Sequence, residues 1–308
     1  MTDLLDTPVE VADLVETVVV DQKAIHEAEK VMRGLLVTDE TALSGYVTRR
    51  AQVAARARAI GDLKPYSLHN QFSLEAQCRR RGLVHLGVYA GPKQWAEHGR
   101  IVKDGAPTLA AWVPVLRTEE DPADPTRQRS RYCGSFTVAV IDYTDTIAED
   151  PDFVEPDFES PLFGGDRTVL DALAGGSSVP VTFAARASAA ERSSFDGARV
   201  LVDSSAPLAN QIGALAHQRV HQILGDARHP ASRENELTAT LGQWLFMEMV
   251  GLGASAGNDV TSAALEGLQH WDEITGNASS GGHKARLRLV HEKLRPALRV
   301  AGELLASL

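Results

Sequence analysis

Cysteine is scarce in this chain of 308 residues, which contains only Cys78 and Cys133. Two cysteines are too few for the disulfide framework typical of small exported domains. Long apolar runs are also missing, since the stretch VETVVVDQ is far shorter than the roughly 18 residues of a membrane span. The N-terminal stretch MTDLLDTPVEVADLVE is acidic and lacks a basic segment, so we expect no signal peptide. These absences favour a cytoplasmic protein that has no membrane partner.

The composition is that of an ordinary globular protein, with 44% hydrophobic and 23% charged residues. A chain of this length can bury a large core and can hold one to three domains. The composition therefore restricts the class of protein but does not indicate its chemistry.

Charge is distributed unevenly along the chain. The net charge of −10 argues against a nucleic-acid partner, but it hides a basic segment. Residues 46–117 carry 12 basic and 4 acidic side chains, a local balance of +8. Residues 1–45 carry 3 basic and 10 acidic side chains, and residues 118–166 carry 3 basic and 13 acidic ones. Because phosphate binding depends on the local field, the basic segment is a candidate nucleic-acid interface.

Hydrophobic periodicity and turn residues predict a mixture of helices and strands without internal repeats. Helices are expected at residues 8–37, 46–60, 68–82, 92–99, 168–175, around the histidine pair described below, and 232–253. Strands are expected at residues 108–117, 134–146, 179–185 and 197–205. The charged, proline-containing residues 118–130 are expected to form a loop. The acidic, proline-rich residues 148–164 form the predicted linker between two domains.

Basic and aromatic residues are interleaved in the basic segment. Single-stranded nucleic acid is bound by cations that follow its backbone and by rings on which its bases stack. The alternative is that the rings form a core and the arginines a solvated face. The residues concerned are Arg79, Arg80, Arg81, Lys93, Arg100 and Lys103 with Tyr66, Phe72, Tyr89, Trp95 and Trp112. The run of three arginines also predicts a lowered pKa for the neighbouring thiol of Cys78.

A series of motifs in the same region resembles the N-terminal domain of ArdC-type antirestriction proteins. The motifs are YSLHNQFSLEAQ, GPKQWAEHGRIVKDG, WVPVLR and VIDYTDT. Two positions depart from the family pattern, with Ile141 in place of Phe and Asp145 in place of Gln. The matching positions are Tyr66, Ser67, Asn70, Gln77, Trp95, Gly99, Arg100, Val102, Gly105, Pro114, Asp142 and Thr146.

The resemblance implies that residues 46–147 form a domain that binds single-stranded DNA. The charge count and the helical periodicity predict an acidic helical segment before it, at residues 1–45. From the motifs and the basic residues we predict a DNA-binding surface. Tyr66, Asn70 and Gln77 could equally be an internal hydrogen-bonding framework. The predicted surface consists of Tyr66, Asn70, Gln77, Arg79, Arg80, Arg81, Lys93, Trp95, Arg100 and Lys103.

The stretch LAHQRVHQIL places His217 and His221 four residues apart on a predicted helix. Two such side chains project from one face and can chelate one ion, while a third ligand comes from elsewhere. In zinc peptidases with the H-E-x-x-H motif, the Glu after the first His activates the metal-bound water. Here that position is Gln218. The bare spacing is weak evidence, and two partly buried, hydrogen-bonded histidines are the alternative.

The surrounding sequence favours a metal site. A strand, ARVLVD, precedes the histidine helix, and the next helix begins with Glu234 and Glu236. A carboxylate from the next helix is the third ligand of gluzincin-like sites. The resemblance also implies this layout, because many ArdC-type proteins continue into a zinc metallopeptidase domain of the ImmA/IrrE type. Glu234 is the preferred third ligand and Glu236 its rival, and Asp226 and His229 are weaker candidates.

Gln218 decides what such a site can do. A carboxamide cannot accept and pass on a proton at neutral pH as a carboxylate does. His217, His221 and Glu234 could still hold Zn²⁺ without that base. We therefore predict an α+β protein of two domains, in which residues 165–308 form a mostly helical, zincin-like domain without peptidase activity. Two alternatives stay open: a zinc-dependent peptidase that uses another base, and a non-catalytic scaffold. The sequence does not identify a protein partner.

Overall fold

The computed structural model describes residues 21–61, 63–121, 124–158, 166–185, 193–225, 232–253, 258–275 and 282–308. It is a mixed α+β structure. The helices are α1 Gln22–Thr38, α2 Glu40–Ala59, α3 Leu68–Arg81, α4 Pro92–Glu97, α5 Asp166–Gly175, α6 Leu208–Leu224, α7 Arg233–Met249, α8 Asn258–Thr275 and α9 Gly282–Ala306. The strands are β1 Tyr89–Ala90, β2 Arg100–Val102, β3 Leu109–Asp121, β4 Asp124–Asp142, β5 Thr146–Ala148, β6 Val181–Ala184, β7 Ser193–Phe195 and β8 Val200–Asp203. Within the described ranges, no helix is both long and apolar enough to cross a membrane.

The chain forms two compact units. Unit 1 comprises the described residues of Met1–Met32 and Ile60–Pro156, and unit 2 those of Arg33–Ala59 and Asp157–Leu308. This division differs from the boundary expected at residue 46, because α2 packs against α7, α8 and α9 of unit 2.

Unit 1 is built around an antiparallel sheet of strand order β1-β4-β3, which α3 covers. Ser67 caps the N-terminus of α3 by accepting a hydrogen bond from the Asn70 backbone N–H. Gly82 ends the helix in the left-handed conformation, with φ of 64°, as a glycine after a helix commonly does. The core between helix and sheet contains Leu74, Cys78, Tyr89, Leu109, Ala111 and Val140. Strands β2 and β5 form a separate antiparallel pair.

Strands β3 and β4 extend further than the sequence predicts. The stretch expected to be a loop at residues 118–130 is paired for most of its length, with Glu119 opposite Arg129. These two side chains form an ion pair with a Nη2–Oε1 distance of 2.6 Å, and opposite charges across a strand pair stabilise it. The loop prediction is therefore wrong, because cross-strand pairing outweighs the local preference of proline and charged residues for loops.

Unit 2 contains a small sheet of order β6-β8-β7, in which β6 and β8 are parallel and β7 is antiparallel to β8. Helices α5, α6, α7 and α9 pack together beside this sheet. Leu215, Leu245 and Leu294, one from each of α6, α7 and α9, are completely buried. Pro207 is the N-cap of α6, because the backbone becomes helical only at Leu208.

Candidate metal centre and nucleic-acid interface

Helices α6 and α7 bring three metal-binding side chains together in unit 2. The Nε2 atoms of His217 and His221 lie 3.1 Å apart. The carboxylate of Glu236 lies 3.2 Å from His217 Nε2 through Oε1 and 3.4 Å from His221 Nε2 through Oε2. One ligand atom from each of the three residues lies within 4.8 Å of the other two. Within the part of the chain that the structure describes, these three side chains are close enough together to hold one metal ion.

The spacing of the donors suits a small divalent ion. Ligands about 2.05 Å from a tetrahedral ion are roughly 3.3 Å from one another. The two Nε2 atoms are separated by a similar distance, and so is each Nε2 atom from the nearer oxygen of Glu236. Two imidazoles and one carboxylate are also a common donor set for zinc. The Glu236 side chain is 54% exposed, so one side of the group faces solvent. The residues present therefore fit a metal ion with a position left for water.

The charge state of Glu236 follows from its neighbours. Hydrogen bonds from His217, and then from His221, hold the pKa of the Glu236 carboxyl far below its ordinary value, although burial opposes the shift. The group is therefore an anion at neutral pH. An anionic oxygen beside two imidazole nitrogens is suited to a cation.

Glu234, the ligand preferred from the sequence, has a different partner. Its Oε1 lies 2.6 Å from the Nζ of Lys293, a buried residue on α9. Residues two apart on a helix project about 200° apart, so Glu234 and Glu236 cannot both face α6. The structure brings the rival Glu236 to the histidines instead. The weaker candidates Asp226 and His229 lie outside the described residues.

Gln218 occupies the position of the general base and is anchored to the small sheet. Its Nε2 donates a hydrogen bond to the Ser193 hydroxyl at 2.9 Å, and this hydroxyl donates to the Ala214 carbonyl at 3.3 Å. The sequence analysis missed Ser193, because a single serine on a short edge strand carries no signal in the sequence.

Two residues of the predicted DNA surface fasten α3 to the edge of β3. The Asn70 carboxamide donates to the Trp112 carbonyl and accepts from the Trp112 N–H, both at 2.8 Å. Gln77 does the same with Ala110, at 2.9 and 3.0 Å. Both side chains are buried. They therefore form an internal hydrogen-bonding framework, which the sequence analysis gave as the alternative to contact with DNA.

Three further residues of the predicted DNA surface also face the interior. Trp95 is fully buried and donates from Nε1 to the Ile141 carbonyl at 3.0 Å. Tyr66 packs against the core of unit 1, and burial raises the pKa of its hydroxyl to about 12. Arg100 is only 3% exposed.

Arg100 has a carboxylate partner that the sequence analysis missed. Its Nη1 and Nη2 donate to Oε2 and Oε1 of Glu155 at 2.9 and 3.0 Å. The guanidinium keeps the pKa of the Glu155 carboxyl below its ordinary value. Glu155 belongs to the acidic segment that was predicted to be a linker, where one glutamate among many acidic residues cannot be singled out.

The remaining predicted DNA-binding residues are on the surface of unit 1. They are Arg79, Arg80, Arg81, Lys93 and Lys103. Arg81 Nη1 donates to the Thr108 carbonyl at 2.8 Å and Lys103 Nζ to the Thr144 carbonyl at 2.6 Å. The charged groups of these side chains are therefore accessible to a phosphate, although Arg81 and Lys103 already donate hydrogen bonds to backbone carbonyls.

The adjacent Cys78 behaves differently from the expectation. Burial raises the pKa of its thiol to about 11, and this effect outweighs the nearby Arg81, which lowers it. The prediction of a lowered pKa is therefore wrong.

Fold and site together define an α+β protein with two histidines and a carboxylate placed so that they could hold a metal ion. The chain is similar to the crystal structure of the metal-free antirestriction ArdC protein from the R388 plasmid, with 15% identity and a TM-score of 0.45. It is also similar to the Mn(II)-bound structure of that protein, with 15% identity and a TM-score of 0.44. Each similarity covers 86% of this chain and 97% of the other. No protein-family model and no curated protein matches the chain.

Proposed function

We propose that this chain is a single-stranded DNA-binding protein of the ArdC type, whose unit 2 holds a divalent metal ion without acting as a peptidase. The observation that carries the metal-binding part of the proposal is the convergence of His217, His221 and Glu236 beside Gln218. The three donors that a metal needs are present, and the proton acceptor that hydrolysis needs is replaced by a carboxamide. A site with these three ligands and without a general base can bind a metal ion but lacks the group that would activate water for hydrolysis.

The metal ion would be held by the two Nε2 atoms and by one or both oxygens of Glu236. Zn²⁺ is our first candidate because imidazole nitrogen is among its preferred ligands, and Mn²⁺ is the second because it accepts carboxylate. Such an ion supplies Lewis acidity to a bound water. Gln218 would not remove a proton from that water at neutral pH, because a carboxamide is not a base.

The DNA-binding part of the proposal is supported by charge. The part of the basic segment that belongs to unit 1, residues 60–117, carries 8 basic and 4 acidic side chains, and the three consecutive arginines at the end of α3 are exposed. A cationic side chain in the last turn of a helix also interacts favourably with the helix dipole, so a structural role is the alternative. The resemblance of the motif series to ArdC-type proteins favours DNA. Antirestriction is the biological role that we propose for this binding.

Filter binding of labelled oligo(dT) across a range of salt concentrations tests DNA binding. We expect the affinity to fall as the salt concentration rises. The slope of log affinity against log salt concentration should be about −0.7 for each phosphate contacted. Arg79→Gln, Arg80→Gln and Arg81→Gln in one variant should weaken binding and reduce that slope. The matched control changes three exposed arginines of unit 2, Arg167, Arg199 and Arg299, to Gln, so that the net charge falls equally. Absence of salt-sensitive affinity in the wild-type protein would overturn the proposal.

Calorimetric titration of chelator-treated protein with Zn²⁺ and Mn²⁺ tests the metal centre. We expect one site per chain, and no metal-dependent cleavage of fluorescent casein. Cleavage by the wild-type protein would instead establish a peptidase with another base. A chain that binds neither metal nor DNA would be a scaffold.

A further inference from the structure

A cationic site in unit 1 is occupied by the chain's own carboxylate. Arg100, at the start of β2, is buried, and its two terminal nitrogens form a fork around both oxygens of Glu155. The fork geometry of a guanidinium matches a phosphate as well as a carboxylate. Glu155 therefore holds the position that a phosphate group would take on Arg100.

The surroundings of Arg100 orient its guanidinium for such a partner. Arg100 Nε donates to the Thr146 hydroxyl at 2.6 Å, which leaves the terminal nitrogens for the anion. The guanidinium carbon lies 3.8 Å from the centre of the Tyr143 ring and 5.6 Å from that of Phe153. The Tyr143 hydroxyl accepts from Arg100 Nη1 at 2.8 Å and donates to Glu155. An anion on Arg100 would thus meet a second donor on Tyr143.

The segment that carries Glu155 is loosely attached to unit 1. In the described part of the chain, two backbone N–H groups of residues 151–156 donate to Asp150 within a turn. The other hydrogen bonds described between this segment and unit 1 are those of the Glu155 carboxylate. The Glu155 side chain is 53% exposed and Val154 is 87% exposed. Water competes for a half-exposed carboxylate, so its ion pair is weaker than that of a fully buried pair. Glu155 can therefore be exchanged for another anion without unfolding the sheet.

We propose that Arg100, Tyr143 and Thr146 form a phosphate-binding subsite for single-stranded DNA, which Glu155 fills and closes when DNA is absent. Binding of a DNA phosphate releases Glu155 together with Phe153, and the phosphate then contacts Arg100 and the Tyr143 hydroxyl. This inference rests on the proposed DNA-binding function and adds to it one phosphate contact and one internal competitor. It also explains how a buried arginine can belong to a DNA-binding surface.

Removal of the competing carboxylate tests the subsite. Glu155→Ala should bind oligo(dT) at least about 5-fold more tightly than wild type at one salt concentration, with a log–log salt slope steeper by about 0.7 for the added contact. Asp152→Ala is the matched control, because Asp152 is an exposed acidic residue of the same segment without a contact to Arg100. If the two variants bind equally, the gain is a general effect of charge and the subsite is wrong. If neither variant nor wild type binds, the proposed DNA-binding function itself fails.

Chemical modification of arginine gives a second readout. Phenylglyoxal followed by peptide mass mapping should leave Arg100 unmodified in the wild-type protein and modify it in Glu155→Ala. Oligo(dT) should then protect Arg100, whereas the same concentration of inorganic phosphate should not. Modification that the oligonucleotide leaves unchanged overturns the subsite. If inorganic phosphate protects Arg100 as well as the oligonucleotide does, the subsite binds free phosphate and the proposal of a DNA subsite is wrong.

Discussion

The Gln218 carboxamide lies 2.9 Å from the Ser193 hydroxyl, with its Nε2 as the donor. The direction of this bond follows from the Ser193 hydroxyl, which uses its proton on the Ala214 carbonyl and must therefore accept from Gln218. The residue at the general-base position is thus held by the protein as a hydrogen-bond donor. A carboxylate in its place would reverse the Ser193 bond and provide a proton acceptor.

Gln218→Glu should produce metal-dependent hydrolysis. A positioned general base contributes about 10²- to 10⁴-fold to rate, so we expect a gain of at least about 100-fold over the wild-type background. The measurement is cleavage of fluorescent casein by the zinc-loaded variant, with and without chelator. The double variant Gln218→Glu with His217→Ala should stay inactive. An inactive Gln218→Glu that still binds zinc would show that more than the base is missing.

Glu236→Gln should weaken zinc binding strongly, whereas Glu234→Gln should not. Even changes outside the ligand set cost about 10- to 100-fold in metal affinity, so loss of an anionic ligand should cost roughly 100-fold or more. Glu234 is the matched control because it lies on the same helix and contacts Lys293 instead. Calorimetric titration measures both variants. A larger loss of zinc affinity in Glu234→Gln than in Glu236→Gln would show that Glu234 is the third ligand.

Asn70→Ala should destabilise unit 1. The substitution leaves the N–H and carbonyl of Trp112 at the edge of β3 without their partners, and each unsatisfied buried group costs about 1–3 kcal/mol. We expect a loss of about 2–4 kcal/mol in the free energy of unfolding by urea. His69→Ala, at an exposed position of the same helix, should change it little. If Asn70→Ala is as stable as wild type but binds DNA more weakly, Asn70 belongs to the DNA-binding surface.

The two cysteines should differ in reactivity. Cys133 is exposed and Cys78 buried, and the raised pKa of about 11 leaves roughly one Cys78 thiol in a thousand ionised at pH 8. One thiol per chain should therefore react rapidly with Ellman's reagent in the native protein, and two after unfolding. Rapid reaction of both thiols in the folded protein would contradict the buried position of Cys78.

The same shift predicts a dependence of stability on pH. Unfolding restores the ordinary pKa of the thiol, 9.0, so the unfolded chain loses this proton first as the pH rises. The contribution of Cys78 to stability should be complete below about pH 9 and should be lost between about pH 9 and pH 11. Urea denaturation of wild type and Cys78→Ala over this range measures it. The curves of the two proteins should differ in slope there, and parallel curves would contradict the shift.

Local features of the sequence were sufficient to predict several elements. The helix expected at residues 68–82 is observed as α3, which ends at Gly82 because glycine adopts positive φ after the last turn. The four-residue spacing of His217 and His221 places both on one face of α6. These predictions depend on interactions within a few residues, which the sequence records directly.

Other outcomes required the packing of distant segments. Only the rotation of α7 against α6 decides that Glu236, and not Glu234, faces the histidines. Only the position of α3 over β3 decides that Asn70 serves a strand edge, 42 residues away in the chain. The pairing of Arg100 with Glu155 likewise joins residues 55 positions apart. The sequence by itself determined the kinds of side chain available, the ends of helices and the shared faces of neighbouring residues. The tertiary structure alone decided which polar groups meet, because burial and contact depend on distances between segments that no local pattern contains.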